Sequence, residues 1–286
     1  MFQEKFRCLV SAAVLALSWP LSSEAAVVQL DSNALQINGN VFSDDHSNGL
    51  VPGQAGDGFP YAVTGAFPSG AESGGLLTMN SSGGVLSNNA LGQTRQSLVV
   101  TALTGLTDTS NAFTLDRGDR FSLTSIFNIA IPSGPLTNGY GIRFRDGALG
   151  GAAASLLVEL YVMYNEVLGG NVIRFSTQDF IAHTITTLGF VDLVVPSGMD
   201  QIELQISHAA NSDSFFGAYA FGSGGIFDPM TQFATAGQLD STFYRGQLIA
   251  FSAVPEPTGV MLLGLAMACL ICSQRRRLAS TGDAMA

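Results

Sequence analysis

The chain predicts an all-β fold, and three observations carry that prediction. Short runs that alternate apolar and polar residues recur from Ser97 onward at roughly ten-residue spacing. Turn-forming residues separate them, and glycine alone accounts for 33 of the 286 positions. No long stretch repeats its apolar residues at the three-to-four spacing of an amphipathic helix. Together these features point to a β-sandwich or barrel.

The first hairpin is written in Leu35-Gln36-Ile37, Asn38-Gly39 and Val41-Phe42, because Asn-Gly accepts the positive φ angles of a primed turn. Residues 43–59 predict a long loop, 76–79 a strand, and 81–89 a mobile turn region. A β-rich run covers 97–103, and Phe113 with Leu115 makes a short strand. In 121–131, Phe121, Leu123, Phe127, Ile129 and Ile131 share one face, while Ser122, Thr124 and Asn128 take the other. In 140–145, Tyr140, Ile142 and Phe144 point inward, and Arg143 and Arg145 outward. Residues 156–164 are apolar on both faces except at Glu159, which predicts a central, covered strand. Gly169-Gly170-Asn171 turns the chain into a strand at 172–176. Further strands are expected at 180–188, 201–207, 215–221 and 247–251.

The two ends read differently. Lys5 and Arg7 precede an apolar stretch at 8–21, and Ser23-Glu24-Ala25 puts small residues at the −3 and −1 positions. That is the pattern of a secretory signal peptide cleaved after Ala25. A permanent N-terminal anchor is the alternative, and the shortness of the apolar stretch with a small-residue site behind it argues against it. Near the other end stands Val254-Pro255-Glu256-Pro257, then the uncharged segment 258–273, then Arg275-Arg276-Arg277. About 16 residues at ~1.5 Å rise make roughly 24 Å of helix, set against a ~30 Å hydrocarbon core. The segment is therefore a short single-span anchor, and the arginines behind it stop translocation and hold that end in the cytoplasm. A buried core helix is the other reading, disfavoured by the terminal position. Pro255 and Pro257 bar a regular helix and keep the motif extended. The expected organisation is a signal peptide at 1–25, an extracytoplasmic β-domain at 26–253, an anchor segment at 254–277 and a cytoplasmic tail at 278–286.

The motif, the span, the arginine cluster and the short tail, in that order, resemble the PEP-CTERM sorting signal of Gram-negative bacteria. In that family an exosortase, an intramembrane cysteine transpeptidase, recognises the tail, cuts near the motif and passes the protein to the cell surface. The resemblance implies an exosortase as partner, an inner-membrane precursor, and a final place at the cell surface, in the outer envelope or in the extracellular matrix. Such a tail is an address and does not say what the cargo does. The body has an alternating strand, a Gly-Tyr-Gly-Ile-Arg-Phe-Arg-Asp run, a strand apolar on both faces, and a hairpin into a polar-alternating strand. This order looks like a concanavalin/laminin-G jelly roll, and residues 201–225 resemble the bodies of other PEP-CTERM surface proteins. What the resemblances imply is a jelly-roll-like β-sandwich between a cleaved signal peptide and a single C-terminal transmembrane helix.

Composition narrows the chemistry. Cys8, Cys269 and Cys272 all lie outside 26–253, so the body has no disulfide, no thiol nucleophile and no thiolate metal site. Lys5 is the only lysine, and the body holds seven arginines against 18 acidic residues, which leaves it at −11. An acidic body with no basic cluster argues against nucleic acid as a partner. His46, His183 and His208 are far apart and show no two-ligand spacing. There is no G-x-S-x-G elbow, no P-loop and no closely alternating acid strand of the kind seen in sandwich glycosidases. Catalytic residues are therefore not expected. A glycoside hydrolase, the third reading, needs two carboxylates about 5 Å apart in space, and nothing in the sequence brings a pair together.

The binding candidates are few. Asp44-Asp45-His46 with Asp57 on a Gly-rich loop can hold calcium, which takes six to eight oxygens, with Asp44, Asp45 and Asp57 as the candidate ligands. Asp116-Arg117-Gly118-Asp119-Arg120 contains the integrin-type tripeptide, but its place between two strands makes it a tight turn. Arg143 and Arg145 can grip an acidic sugar or serve as ion-pair partners for the many acids. The functional expectation is a non-enzymatic surface or matrix protein. The runner-up is a lectin-like carbohydrate-binding module for exopolysaccharide, using tyrosines in place of the single tryptophan, Trp19, which leaves with the signal.

Overall fold

A computed structural model describes residues 27–49, 61–64, 72–80, 85–89, 94–102, 115–129, 139–146, 155–165, 167–181, 184–239 and 243–254. All fall in one compact unit, Glu24–Val254. The signal peptide, the membrane segment and the arginine cluster expected at the ends lie outside them, as do Asp57, His183, Phe113 and Ile131. Among the described residues there are strands and turns and no helix.

In chain order the strands are β1 (Val27–Ile37), β2 (Asn40–Asp44), β3 (Tyr61–Thr64), β4 (Glu72–Ser73), β5 (Leu76–Asn80) and β6 (Val85–Asn89). Then come β7 (Thr94–Ala102), β8 (Leu115–Asp116), β9 (Phe121–Asn128), β10 (Gly139–Asp146), β11 (Ser155–Asn165) and β12 (Gly170–Ile181). The last are β13 (Thr184–Val194), β14 (Gln201–His208), β15 (Ser214–Ser223), β16 (Ile226–Phe227), β17 (Thr231–Gln238) and β18 (Phe243–Val254). One sheet runs β16-β15-β14-β9-β1-β5-β4, with β17 added to β15 and β2 to β1. The other runs β3-β7-β6-β13-β12-β11-β10-β18-β8. In it β7 also pairs with β18, and β6 meets β13 in parallel, so the pairings close into a ring.

The two sheets meet through one aromatic and aliphatic core. Phe127 of the first sheet lies 5.1 Å from Tyr140 of the second, ring centre to ring centre, and Phe121 lies 5.1 Å from Phe144. Leu30, Leu35, Leu77, Ile202, Leu204 and Ile206 fill the first sheet's side, and Ile142, Val158, Leu160, Val162 and Ile173 the second's. Each such side chain fully removed from water contributes about 1.5–3 kcal/mol, so this layer is the main source of stability in a body without disulfides. The alternation expected for β9 and β14 is observed residue by residue, because a period of two puts every second side chain on the core. Gly141 of β10 marks where the second sheet packs most closely: a β-carbon there would sit 2.2 Å from the backbone oxygen of Leu160.

Some elements differ from their expected form. β6 makes the end of the 81–89 turn region a strand paired to β7. The run at 180–188 divides between two strands, β12 ending at Ile181 and β13 starting at Thr184 in antiparallel pairing. Both halves are β-prone, and period alone does not show where a hairpin folds. Ser43 and Asp44, expected in a loop, extend β2. Arg143 does not point to open solvent. Its side chain is 12% exposed and its Nη1 lies 3.2 Å from Oε1 of the fully buried Glu159. Its Nε donates to Gln247 Oε1 at 2.5 Å. The curl of the second sheet gives these strands a second covered face, occupied by Tyr161, Met163, Val172 and Ile249 beside the ion pair. Arg145, on the same face as Arg143, is half-buried as well.

Candidate functional site

Two hairpins, β1 with β2 and β4 with β5, bring β2 and β5 end to end along one edge of β1. The first closes through Asn38 and Gly39 at φ 49° and 90°, the left-handed angles of the primed turn that Asn-Gly favours. That turn sets the register in which Leu35 faces Phe42 and Asn33 faces Asp44. The second hairpin joins β4 to β5 through Gly74 and Gly75, both at positive φ, and pairs Glu72 with Leu77. β5 lies against Val27–Leu30 of β1 and β2 against Asn33–Ile37. Between them, from Leu30 to Ser32, the pairing of β1 with β9 shifts register. The ends of the two hairpins thus converge beside a local irregularity, and three buried ionisable side chains meet there.

They are Asp44, His46 and Glu72, exposed by 5%, 0% and 4%. His46 follows β2 in a left-handed conformation at φ 53°, which turns its ring back toward the strand ends. Its Nδ1 lies 2.8 Å from Glu72 Oε1 and 3.1 Å from Asp44 Oδ2. Its backbone N–H donates to Asp44 Oδ1 at 2.8 Å, which fixes the carboxylate plane. Asp44 Oδ2 and His46 Nε2 are buried with no hydrogen bond. One ligand atom from each residue lies within 4.8 Å of the others, so the trio has the dimensions of a metal site. Burial alone would raise the Asp44 carboxyl, but the nearby His46 imidazole and its backbone N–H outweigh it and hold it below the usual carboxylate range. Burial likewise works against a charged His46, and the two carboxylates overcome it, lifting the imidazole above its ordinary range.

Of the two calcium candidates among the described residues, Asp44 and Asp45, Asp44 belongs to this cluster. Asp45 is exposed and accepts the backbone N–H of Ser47 at 3.1 Å, and Asp57 lies outside the described residues. Sequence reasoning missed His46 and Glu72 as partners because 26 residues separate them and only the docking of two hairpins joins them. The signal available was an isolated acid, Glu72, two residues before the Gly74-Gly75 pair. His208 is a structural residue. Its two ring nitrogens face the backbone oxygens of Asp119 and Ser212 at 2.9 and 2.7 Å, and the ring stacks on Phe121. The Arg117-Gly118-Asp119 tripeptide forms the expected turn between β8 and β9, with Gly118 N–H donating to Asp116 Oδ1 at 2.8 Å.

The outward face of the first sheet carries two cavities. The larger, about 960 Å³, is lined by residues including Gln36, Asn38, Ser122, Gln205 and Ser207. The smaller, about 550 Å³, is lined by Ser32, Asn33, Asp44, Asp45, Thr124 and Glu203, among others. Gln205 Nε2 donates to Thr124 Oγ1 at 3.0 Å, so part of this polar carpet is braced strand to strand. Burial raises the carboxyl of Glu203. Asp44 belongs both to the buried trio and to the wall of the smaller cavity.

No family model matches the chain, and no curated protein matches it. Among solved structures, a crystal structure of basic winged bean lectin with Tn-antigen is similar at 9% identity and a TM-score of 0.21, over 55% of this chain and 86% of that one. A score of that size carries no argument about ligand or activity. The class that the observed architecture defines is an all-β, two-sheet sandwich.

Proposed function

We propose that the chain is an exported, non-enzymatic protein of the cell surface or extracellular matrix, sorted by an exosortase through Val254-Pro255-Glu256-Pro257. The observation that carries this reading is the ordered motif, uncharged span and arginine cluster, placed directly behind the last strand. β18 runs to Val254, which pairs with Thr94 and immediately precedes Pro255 in the sequence. Proline has no N–H, so Pro255 and Pro257 cannot donate to a continued pairing. The test is fractionation of cells carrying Glu256→Ala with Pro257→Ala. The precursor is expected to stay in the inner membrane, and surface display equal to the parent would defeat the proposal.

A lectin-like reading is favoured by the outward face of the first sheet. The amides and hydroxyls of Gln36, Asn38, Ser122, Gln205 and Ser207 in the larger cavity are groups that hydrogen-bond sugar hydroxyls. Exopolysaccharide from the host cell, offered to the full chain in affinity electrophoresis, should retard it. Unchanged mobility of the parent, or equal retardation of Gln205→Ala with Ser207→Ala, would remove this reading.

A further inference from the structure

We propose that Asp44, His46 and Glu72 bind one divalent transition-metal ion, with zinc as the best chemical fit. The proposal rests on this cluster alone and does not depend on how the protein is sorted. Two carboxylates converge on a single imidazole nitrogen, at 2.8 and 3.1 Å, and one N–H cannot serve both well. An ion has several coordination positions and can serve both. Asp44 Oδ2, aimed at that nitrogen, is buried without a hydrogen bond, while Oδ1 is held by the His46 backbone N–H. This arrangement orients one oxygen toward the centre, as ligand carboxylates are oriented in metal sites. Ligands bound at ~2.1 Å around a tetrahedral ion lie about 3.4 Å apart, so the atoms need only small movements to take one up.

The donor set decides which ion. Calcium takes six to eight oxygens, whereas this site offers an imidazole nitrogen and two carboxylates in a tight buried space. Imidazole with carboxylate suits zinc and its neighbours in the first transition row. Charge agrees, since a divalent ion cancels two buried carboxylates beside a neutral imidazole. The consequence is mechanical: the ion ties Asp44 at the end of β2, and His46 behind it, to Glu72 of β4, which pairs with β5. Because Asp44 also lines the smaller outward cavity, the same ion fixes one wall of that cavity.

The test uses the full-length chain in mild detergent, stripped with chelator and titrated by calorimetry with zinc and, separately, with calcium. Expected are one zinc per chain, a raised melting temperature, and binding weakened more than about 100-fold by Asp44→Asn with Glu72→Gln. His183→Gln should bind zinc as the parent does. X-ray absorption of the zinc-loaded parent needs no variant to fold, and should show nitrogen and oxygen ligands at ~2.0–2.1 Å with one imidazole. Absence of saturable zinc binding overturns the proposal. So does undiminished binding in the double variant, a shell without imidazole, or tighter binding of calcium than of zinc.

Discussion

Phe127→Ala should lower the unfolding free energy by about 3–5 kcal/mol, among the largest losses any single side chain can produce here. Phe127 is fully buried at the middle of the first sheet, with Leu30 on one side strand and Ile202 on the other. Across the core its ring packs on Tyr140 at 5.1 Å. Truncation removes the transfer free energy of the ring and leaves a cavity that two packed sheets cannot close, since each neighbour is pinned by its own strand. Urea denaturation of parent and variant measures the difference, with an unchanged slope showing that the same surface unfolds. A loss below about 1 kcal/mol would mean that the ring does not bridge the sheets.

Arg143→Ala should cost a similar amount, about 3–5 kcal/mol, for a different reason. Glu159 is fully buried on the central strand β11, and Arg143 is its cation at 3.2 Å. Removing the guanidinium leaves a carboxylate away from water with its charge uncompensated. The pair itself is worth much less than that loss, because both groups gave up hydration to form it. Arg143→Met combined with Glu159→Leu should therefore recover most of the stability that either substitution alone removes. Melting curves for the four proteins of this cycle decide the matter, and a double variant as unstable as the sum of the singles would show no coupling between the two residues.

Much of the sandwich is legible in the amino-acid sequence. Alternation marks the core faces of β9, β10 and β14, and the Asn38-Gly39 pair locates the first hairpin to the residue. These features are local, with both period and turn chemistry lying within a few consecutive positions. The curl of the second sheet is not local. It depends on pairings such as Ile185 with Asn89, almost a hundred residues apart, and it alone makes the Arg143 face a buried one. The Asp44, His46 and Glu72 cluster is hidden for the same reason. The aspartate is visible as a candidate ligand, but its partners come from a following turn and a separate hairpin brought alongside β1. Registers set within one hairpin can be read from sequence, whereas contacts between hairpins need the packed sheet.

The fate of the tail decides whether the protein is sorted as proposed, and the intact mass of the protein extracted from the surface of exosortase-bearing cells reads it out. The expected mass begins after Ala25, ends near Val254-Pro255-Glu256-Pro257 and lacks residues 275–286. A surface-extracted protein whose mass still includes those residues would contradict exosortase sorting.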